Sequence, residues 1–279
     1  TKKDRTSEIF GNPISKKVIR KAQKSKQKNQ KKYGDDSKVN YQCIIRDNSC
    51  IGGPLGVKNV VVTRKEGKGS FDEEKGVIVG NIRMGFGHYR ISMAIASAAH
   101  ALGYTPYWMD LNSYPETTCT KLISAQNELY SLGSRISQKS KLFNKFVWEP
   151  VNYEGFRQLS YNAADQKNAE LMAPVYHSVP KDIPVIATHV WPAQAAVHAG
   201  MKHVVNAIPD NWPMALHYAQ GSLHTVQTHY AYQGYRIGNG MMKDKVVQAM
   251  PPQDLMYTGH YIDHELAANI EKDCETRLS

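Results

Sequence analysis

Between Gly76 and Leu111 the chain passes from a β-branched run through a glycine loop into a helical repeat and a second apolar run. Val77, Ile78 and Val79 have no polar neighbour between them, the pattern of a strand buried on both faces. Met84-Gly85-Phe86-Gly87-His88 interrupts that run. From Tyr89 onward Ile91, Ala94, Ile95, Ala98 and Leu102 recur at helical spacing, and Gly103 stands where such a helix would stop. Thr105 to Leu111 reads as a second strand carrying Asp110 near its end. The pattern predicts a βαβ unit whose first turn can bring backbone N–H groups up to an anion.

Before this unit, residues 33–75 are rich in turn signals around one expected strand, Val57–Thr63, with Gly67–Gly69 read as a hairpin tip. After it, Leu122, Ala125, Leu129, Leu132 and Ile136 make one apolar stripe on a helical region running to about Asn144. Leu142, Phe143, Phe146, Val147 and Trp148 then sit beside Lys139, Lys141 and Lys145. That mixture suits a membrane interface, and it also suits a helix packed on the core with its lysines in water, which is the working expectation. A helix-like segment follows at Ala163–Ala173.

From Pro184 short strands and helices alternate again. Val185–Thr188, His203–Ile208, Leu223–Gln227 and Leu255–Thr258 read as strands, and Ala193–Ala199 and Tyr230–Gly238 as helices. This rhythm predicts a parallel sheet, in which ligands gather beyond the carboxyl ends of the strands. His88, His189, Asp210 and Gly259 all fall at such ends.

Composition sharpens the picture at the N-terminus. The net charge of +10 lies entirely in residues 1–32, where 12 Lys/Arg face only Asp4 and Glu8. This Lys/Gln-rich leader has almost nothing apolar to bury and reads as a solvated helix or a disordered tail, with disorder over residues 1–40 the expectation. It could attract an anionic membrane surface, whereas its lack of stacking aromatics argues against specific nucleic-acid readout. No run of about eighteen apolar residues occurs, so no transmembrane helix is expected. Cys43, Cys50, Cys119 and Cys274 lack metal-type spacing and read as free thiols of a cytoplasmic protein. Eleven histidines invite a metal assignment, but His260/His264 and the His217, His224, His229 group lack an accepted ligand pattern, so no metal is expected.

Three nucleotide-site patterns compete for the glycine loop. A P-loop fails because Phe86 and Gly87 stand where Lys and Ser/Thr are needed. A dinucleotide fingerprint could use Gly85, Gly87 and Asp110, but Arg90 replaces the close-packing glycine. The third is an acceptor or phosphate approach over Gly87 with His88 supplying acid–base chemistry.

Taken in order, the strand-end motifs resemble the N-terminal, acceptor-side domain of a GT-B glycosyltransferase of the monogalactosyldiacylglycerol synthase and MurG-like group. Gly85-Phe86-Gly87-His88 with its alanine-rich helix, Asp110, Thr188-His189-Val190-Trp191-Pro192, Ile208-Pro209-Asp210 with Trp212-Pro213, and Tyr257-Thr258-Gly259-His260-Tyr261-Ile262-Asp263 carry the likeness. Phe86 departs from the small residue usual there, and Pro209 from the usual Thr. The resemblance implies an α/β fold with a Rossmann-like parallel sheet over residues 41–266. It implies that residues 267–279 begin a linker to a donor domain beyond Ser279. It also implies an inverting, metal-independent and cofactor-free transfer from a nucleotide-sugar donor to a lipid or membrane-associated acceptor, on the inner face of a membrane. His88 and Asp210 would be catalytic, and Gly85, Phe86, Gly87, His189 and Trp212 would bind the acceptor. A nicotinamide-dependent oxidoreductase and a non-catalytic membrane-docking module are the alternatives.

Overall fold

The computed structural model describes residues 5–65, 67, 69–238 and 247–278. Its centre is β5 (Gly76–Asn81), every residue of which is buried, as the β-branched run Val77–Val79 at its middle requires. Ile78 enters a core with Tyr107, Leu122, Val175 and Trp191. Val79, pointing the other way, enters one with Ile95, Ala96 and Trp108. Helices therefore cover both faces.

In chain order, a two-stranded hairpin β1 (Glu8–Ile9) and β2 (Asn12–Pro13) leads to α1 (Lys16–Tyr33), β3 (Gln42–Asp47), α2 (Gly52–Leu55) and β4 (Lys58–Thr63). After β5 come α3 (Phe86–Ala101), β6 (Thr105–Asp110), α4 (Thr118–Lys139), α5 (Lys141–Phe143) and α6 (Leu159–Met172). Then follow β7 (Val185–Ala187), α7 (Val190–His198), β8 (Val204–Ala207), β9 (Leu223–Val226), α8 (His229–Ile237), β10 (Leu255–Tyr257), α9 (His264–Ala268) and α10 (Ile270–Leu278). Eight strands form one sheet in the order β10-β9-β8-β7-β5-β6-β4-β3, parallel except for the β3–β4 edge pair. The chain leaves β5 toward β6 on one side and returns to β7 on the other. A crevice at such a reversal is where α/β sheets bind ligands.

Three expectations change. First, the basic leader is ordered over much of its length. Ile9 and Phe10 are buried, and Phe10 packs edge-on against Tyr218 at 5.0 Å. Helix α1 is capped by Ser15, whose side chain accepts from the Val18 N–H. It lies on α6 through buried Ala22, a 2.5 Å Lys26–Glu170 ion pair and a 2.9 Å Asn29–Asn168 hydrogen bond. Val18 and Tyr33 add partly buried apolar contacts to the core clusters, and the lysines other than Lys26 stay in water.

Second, the stretch around Gly67 and Gly69 is not a hairpin tip. β4 pairs in parallel with β6, so this segment is a connection, and the hairpin lies between β3 and β4; Glu66 and Lys68 fall outside the described residues. Third, the aromatic–basic segment after α4 is not core. Leu122 and Ile123 are buried, but Leu129 is 70% exposed, Leu142 72% and Phe146 67%. At 1.5 Å per residue α4 is about 33 Å long, and it outruns the core beneath its first two turns.

Candidate functional site

Helix α3 begins at Gly85, whose φ of +75° and ψ of 171° suit glycine alone. A Cβ at Gly85 or Gly87 would meet nothing within 4 Å, so the loop is open to an approaching group. Phe86 is 84% exposed and turns its ring into solvent rather than into a pocket. The helix places His88 in its first turn, facing the end of β7.

There His88 Nδ1 lies 2.6 Å from the Thr188 carbonyl. A carbonyl only accepts, so Nδ1 carries the proton and the Nε2 lone pair is the ring's accepting site. Ser92 Oγ donates to the His88 carbonyl at 2.9 Å and accepts from Thr188 Oγ1 at 2.8 Å, tying helix to strand end. Burial lowers the His88 pKa, partly opposed by the Thr188 carbonyl and by Asp210.

His189 caps α7: its Nδ1 accepts from the Trp191 N–H at 3.1 Å, which puts its proton on Nε2. Burial, and then the neighbouring His88 and His217, hold its pKa well below the ordinary histidine value. The two rings meet edge to face at 4.9 Å. One neutral imidazole thus offers an acceptor and its neighbour a donor. Behind them Trp191 Nε1 donates to buried Asp165 at 3.2 Å, and burial raises that carboxyl to about 7.

Asp210 follows β8, its side chain 52% exposed. Its Oδ2 sits 3.1 Å from His217 Nε2, and His217 Nδ1 is 2.7 Å from the Tyr235 hydroxyl. Burial raises the Tyr235 pKa well above the ordinary phenol value, so the hydroxyl keeps its proton and donates to Nδ1. That assigns the Nε2 proton to the bond with Asp210. The chain Tyr235→His217→Asp210 holds the carboxylate ionised: the His217 bond lowers its pKa most, against burial. Asn206 Nδ2 donates to the His217 carbonyl at 2.6 Å, and Gln227 Nε2 to the Pro209 carbonyl at 2.8 Å, fixing this loop from both sides.

Two residues beyond Asp210, Trp212 heads an aromatic platform. Its ring centroid is 5.6 Å from Tyr153 and 6.1 Å from Tyr230, and the Arg157 guanidinium lies 5.2 Å above it. Its Nε1 is buried with no hydrogen-bond partner among the described residues.

The fold therefore brings His88, His189 and Asp210 into one electrostatically coupled cluster at the topological reversal, with the Gly85–Gly87 turn above His88. His217, Tyr235, Tyr153, Tyr230 and Arg157 were not singled out for this site from the sequence. His217 had a signal, as one of three close histidines, but those three go separate ways. His224 bonds the Ala219 N–H and the Asp254 carbonyl, and His229 stacks on Tyr257 at 4.1 Å. Among the described residues no group of three His, Cys, Asp or Glu side chains converges as a metal site. Asp110 belongs elsewhere. It is buried, and its oxygens accept from Arg83 Nε at 2.6 Å and from Asn112 N and Ser113 Oγ at 2.9 Å. With both oxygens engaged, it is poorly placed to receive a ribose. Among the described residues no helix is long and apolar enough to cross a membrane.

No curated protein and no solved structure matches the chain. Residues 250–279 match the family model described as Domain of unknown function (DUF6938). Residues 8–237, most of the chain, match that described as Domain of unknown function (DUF6937), and the chain belongs to that family.

Proposed function

We propose that this chain is the acceptor-side half of a GT-B-type glycosyltransferase, which moves a sugar from a nucleotide-sugar donor to a lipid or membrane-associated hydroxyl with inversion. The observation that carries the proposal is the half-exposed Asp210 carboxylate. It is held ionised by the buried Tyr235–His217 chain and faces a neutral histidine pair at the carboxyl ends of parallel strands.

In the proposed step the acceptor oxygen forms a bond to the anomeric carbon while the bond from that carbon to the diphosphate oxygen breaks. The electron pair leaves with the nucleoside diphosphate, and the hydroxyl proton passes to Asp210. His88 Nε2 is the other proton acceptor within the cluster, and the His189 Nε2–H can hold an acceptor oxygen in line. Trp212 with Tyr153 and Tyr230 offers flat apolar faces suited to stacking on a sugar or glycerol backbone. The sequence likeness to the monogalactosyldiacylglycerol synthase and MurG-like group agrees with this use of the strand ends.

The test is a screen of nucleotide sugars against the full-length gene product with a polar-lipid extract, followed by NMR of the anomeric proton in any product. Consumption of one donor with inversion supports the assignment. Retention, or no donor consumed across uridine, guanosine and thymidine diphosphate sugars, overturns it. The nicotinamide alternative loses its main support with Asp110 engaged by Arg83.

A further inference from the structure

We infer that the helical protrusion between α4 and α6 docks onto an anionic lipid surface. On α4, Leu129, Leu132 and Ile136 lie at i, i+3 and i+7 and are 70%, 47% and 38% exposed. Past the helix end Leu142, Phe146 and Val147 are 72%, 67% and 45% exposed. Exposed large apolar side chains gathered in one segment mark an interaction surface.

The tip is built rather than frayed. Two wide helical turns, Asn144–Trp148 and Val151–Gly155, fold it back toward α4. Trp148 lies 5.0 Å from the Tyr130 ring and against Gly133, where a Cβ would overlap the indole. Asn144 Nδ2 donates to Glu149 at 2.7 Å. A surface concavity of about 590 Å³ opens beside Trp148, lined by Lys145, Pro150 and Tyr153.

Charge selects the occupant. From Leu129 through Trp148 the segment carries Arg135, Lys139, Lys141 and Lys145, all exposed, and no acid. Glu149 and Glu154 follow only on the return. Exposed Leu and Phe beside unpaired-in-sign Lys and Arg fit a bilayer interface, where apolar groups enter the acyl boundary and cations meet anionic headgroups. A second copy of this chain would bring like charge against like. The surface also continues into the site, because Tyr153 at the base of the protrusion packs on Trp212. Docking there would turn the aromatic platform toward the membrane.

The assay is sedimentation of the full chain with vesicles of phosphatidylcholine containing 30% phosphatidylglycerol, and with phosphatidylcholine alone. Binding should be tenfold or more stronger to the anionic vesicles. Leu142→Asp with Phe146→Asp should abolish it, and Lys141→Gln with Lys145→Gln should weaken it about tenfold, with unchanged circular dichroism. Lys24→Gln with Lys28→Gln, on the exposed face of α1, should change it less than twofold. Wild-type protein left in the supernatant would overturn the inference. So would equal binding by the Asp double variant, or a dimer by light scattering that the Asp double variant converts to monomer. The vesicle result is independent of catalysis: transfer to a soluble acceptor without vesicle binding sinks only this inference, and vesicle binding without transfer sinks only the transferase.

Discussion

Asp165→Asn should stabilise the protein, and more so at alkaline than at acidic pH. Asp165 is buried on α6 with the Trp191 indole N–H as its hydrogen-bond donor, and burial raises its pKa from 3.8 to about 7. The folded state therefore keeps a proton that the unfolded chain has released between about pH 4 and 7. Stability falls as pH rises through that window, and the full cost is present above pH 7. A shift of about three units corresponds to about 4 kcal/mol, of which about 3 kcal/mol develops between pH 5 and pH 8. Asparagine keeps an oxygen for the indole and cannot ionise. Urea denaturation at both pH values reads the difference directly. The variant's gain should be larger at pH 8 than at pH 5 by about 2–3 kcal/mol. A variant whose offset from wild type is the same at both pH values would refute the assignment of a buried, proton-retaining carboxyl.

Burial lowers the His224 pKa to about 4, below its unfolded value of 6.5, so stability present at neutral pH is lost as pH falls from 6.5 to 4. The loss is about 3 kcal/mol, and His224→Gln should flatten that part of the stability–pH curve. Gly85→Ala should cost about 1–3 kcal/mol in thermal unfolding, because φ +75° with ψ 171° is strained for any Cβ. Gly87→Ala, in the first helical turn with open space around it, should be neutral or slightly stabilising while still hindering an acceptor. Tyr235→Phe strips the donor from His217 Nδ1 and leaves a buried ring nitrogen unpaired, costing about 1–3 kcal/mol. Transfer should then fall in kcat more than in KM, since Asp210 loses its fixed orientation.

Much of the sheet was legible in the sequence, for local reasons. Val77–Val79 read as a doubly buried strand, the apolar spacing from Tyr89 as the helix after the glycine loop, though that helix begins three residues earlier at Phe86, and His189 and Asp210 stood just past apolar runs. The docked leader was not legible, since Ile9 and Phe10 meet their core, Tyr218 and Val226, more than 200 positions away. Strand β3 was hidden by Arg46 and Asp47, which are tolerable at the sheet edge where they face water. The protrusion misled because its apolar stripe continues that of α4 without a break, and nothing local reports where the core beneath stops. His217 and Tyr235 are separated by a strand and belong to different elements, so their hydrogen bond is a product of the fold.

The most direct measurement is nucleoside diphosphate release by the full-length product, wild type against Asp210→Asn, at saturating donor and lipid acceptor. Asparagine preserves the bond from His217 Nε2 but cannot take a proton. The account predicts a fall of about 100-fold or more in kcat with circular dichroism unchanged, and a small loss of thermal stability at neutral pH, because the ionised carboxylate that His217 favours is gone. An Asp210→Asn protein that turns over at the wild-type rate would contradict it.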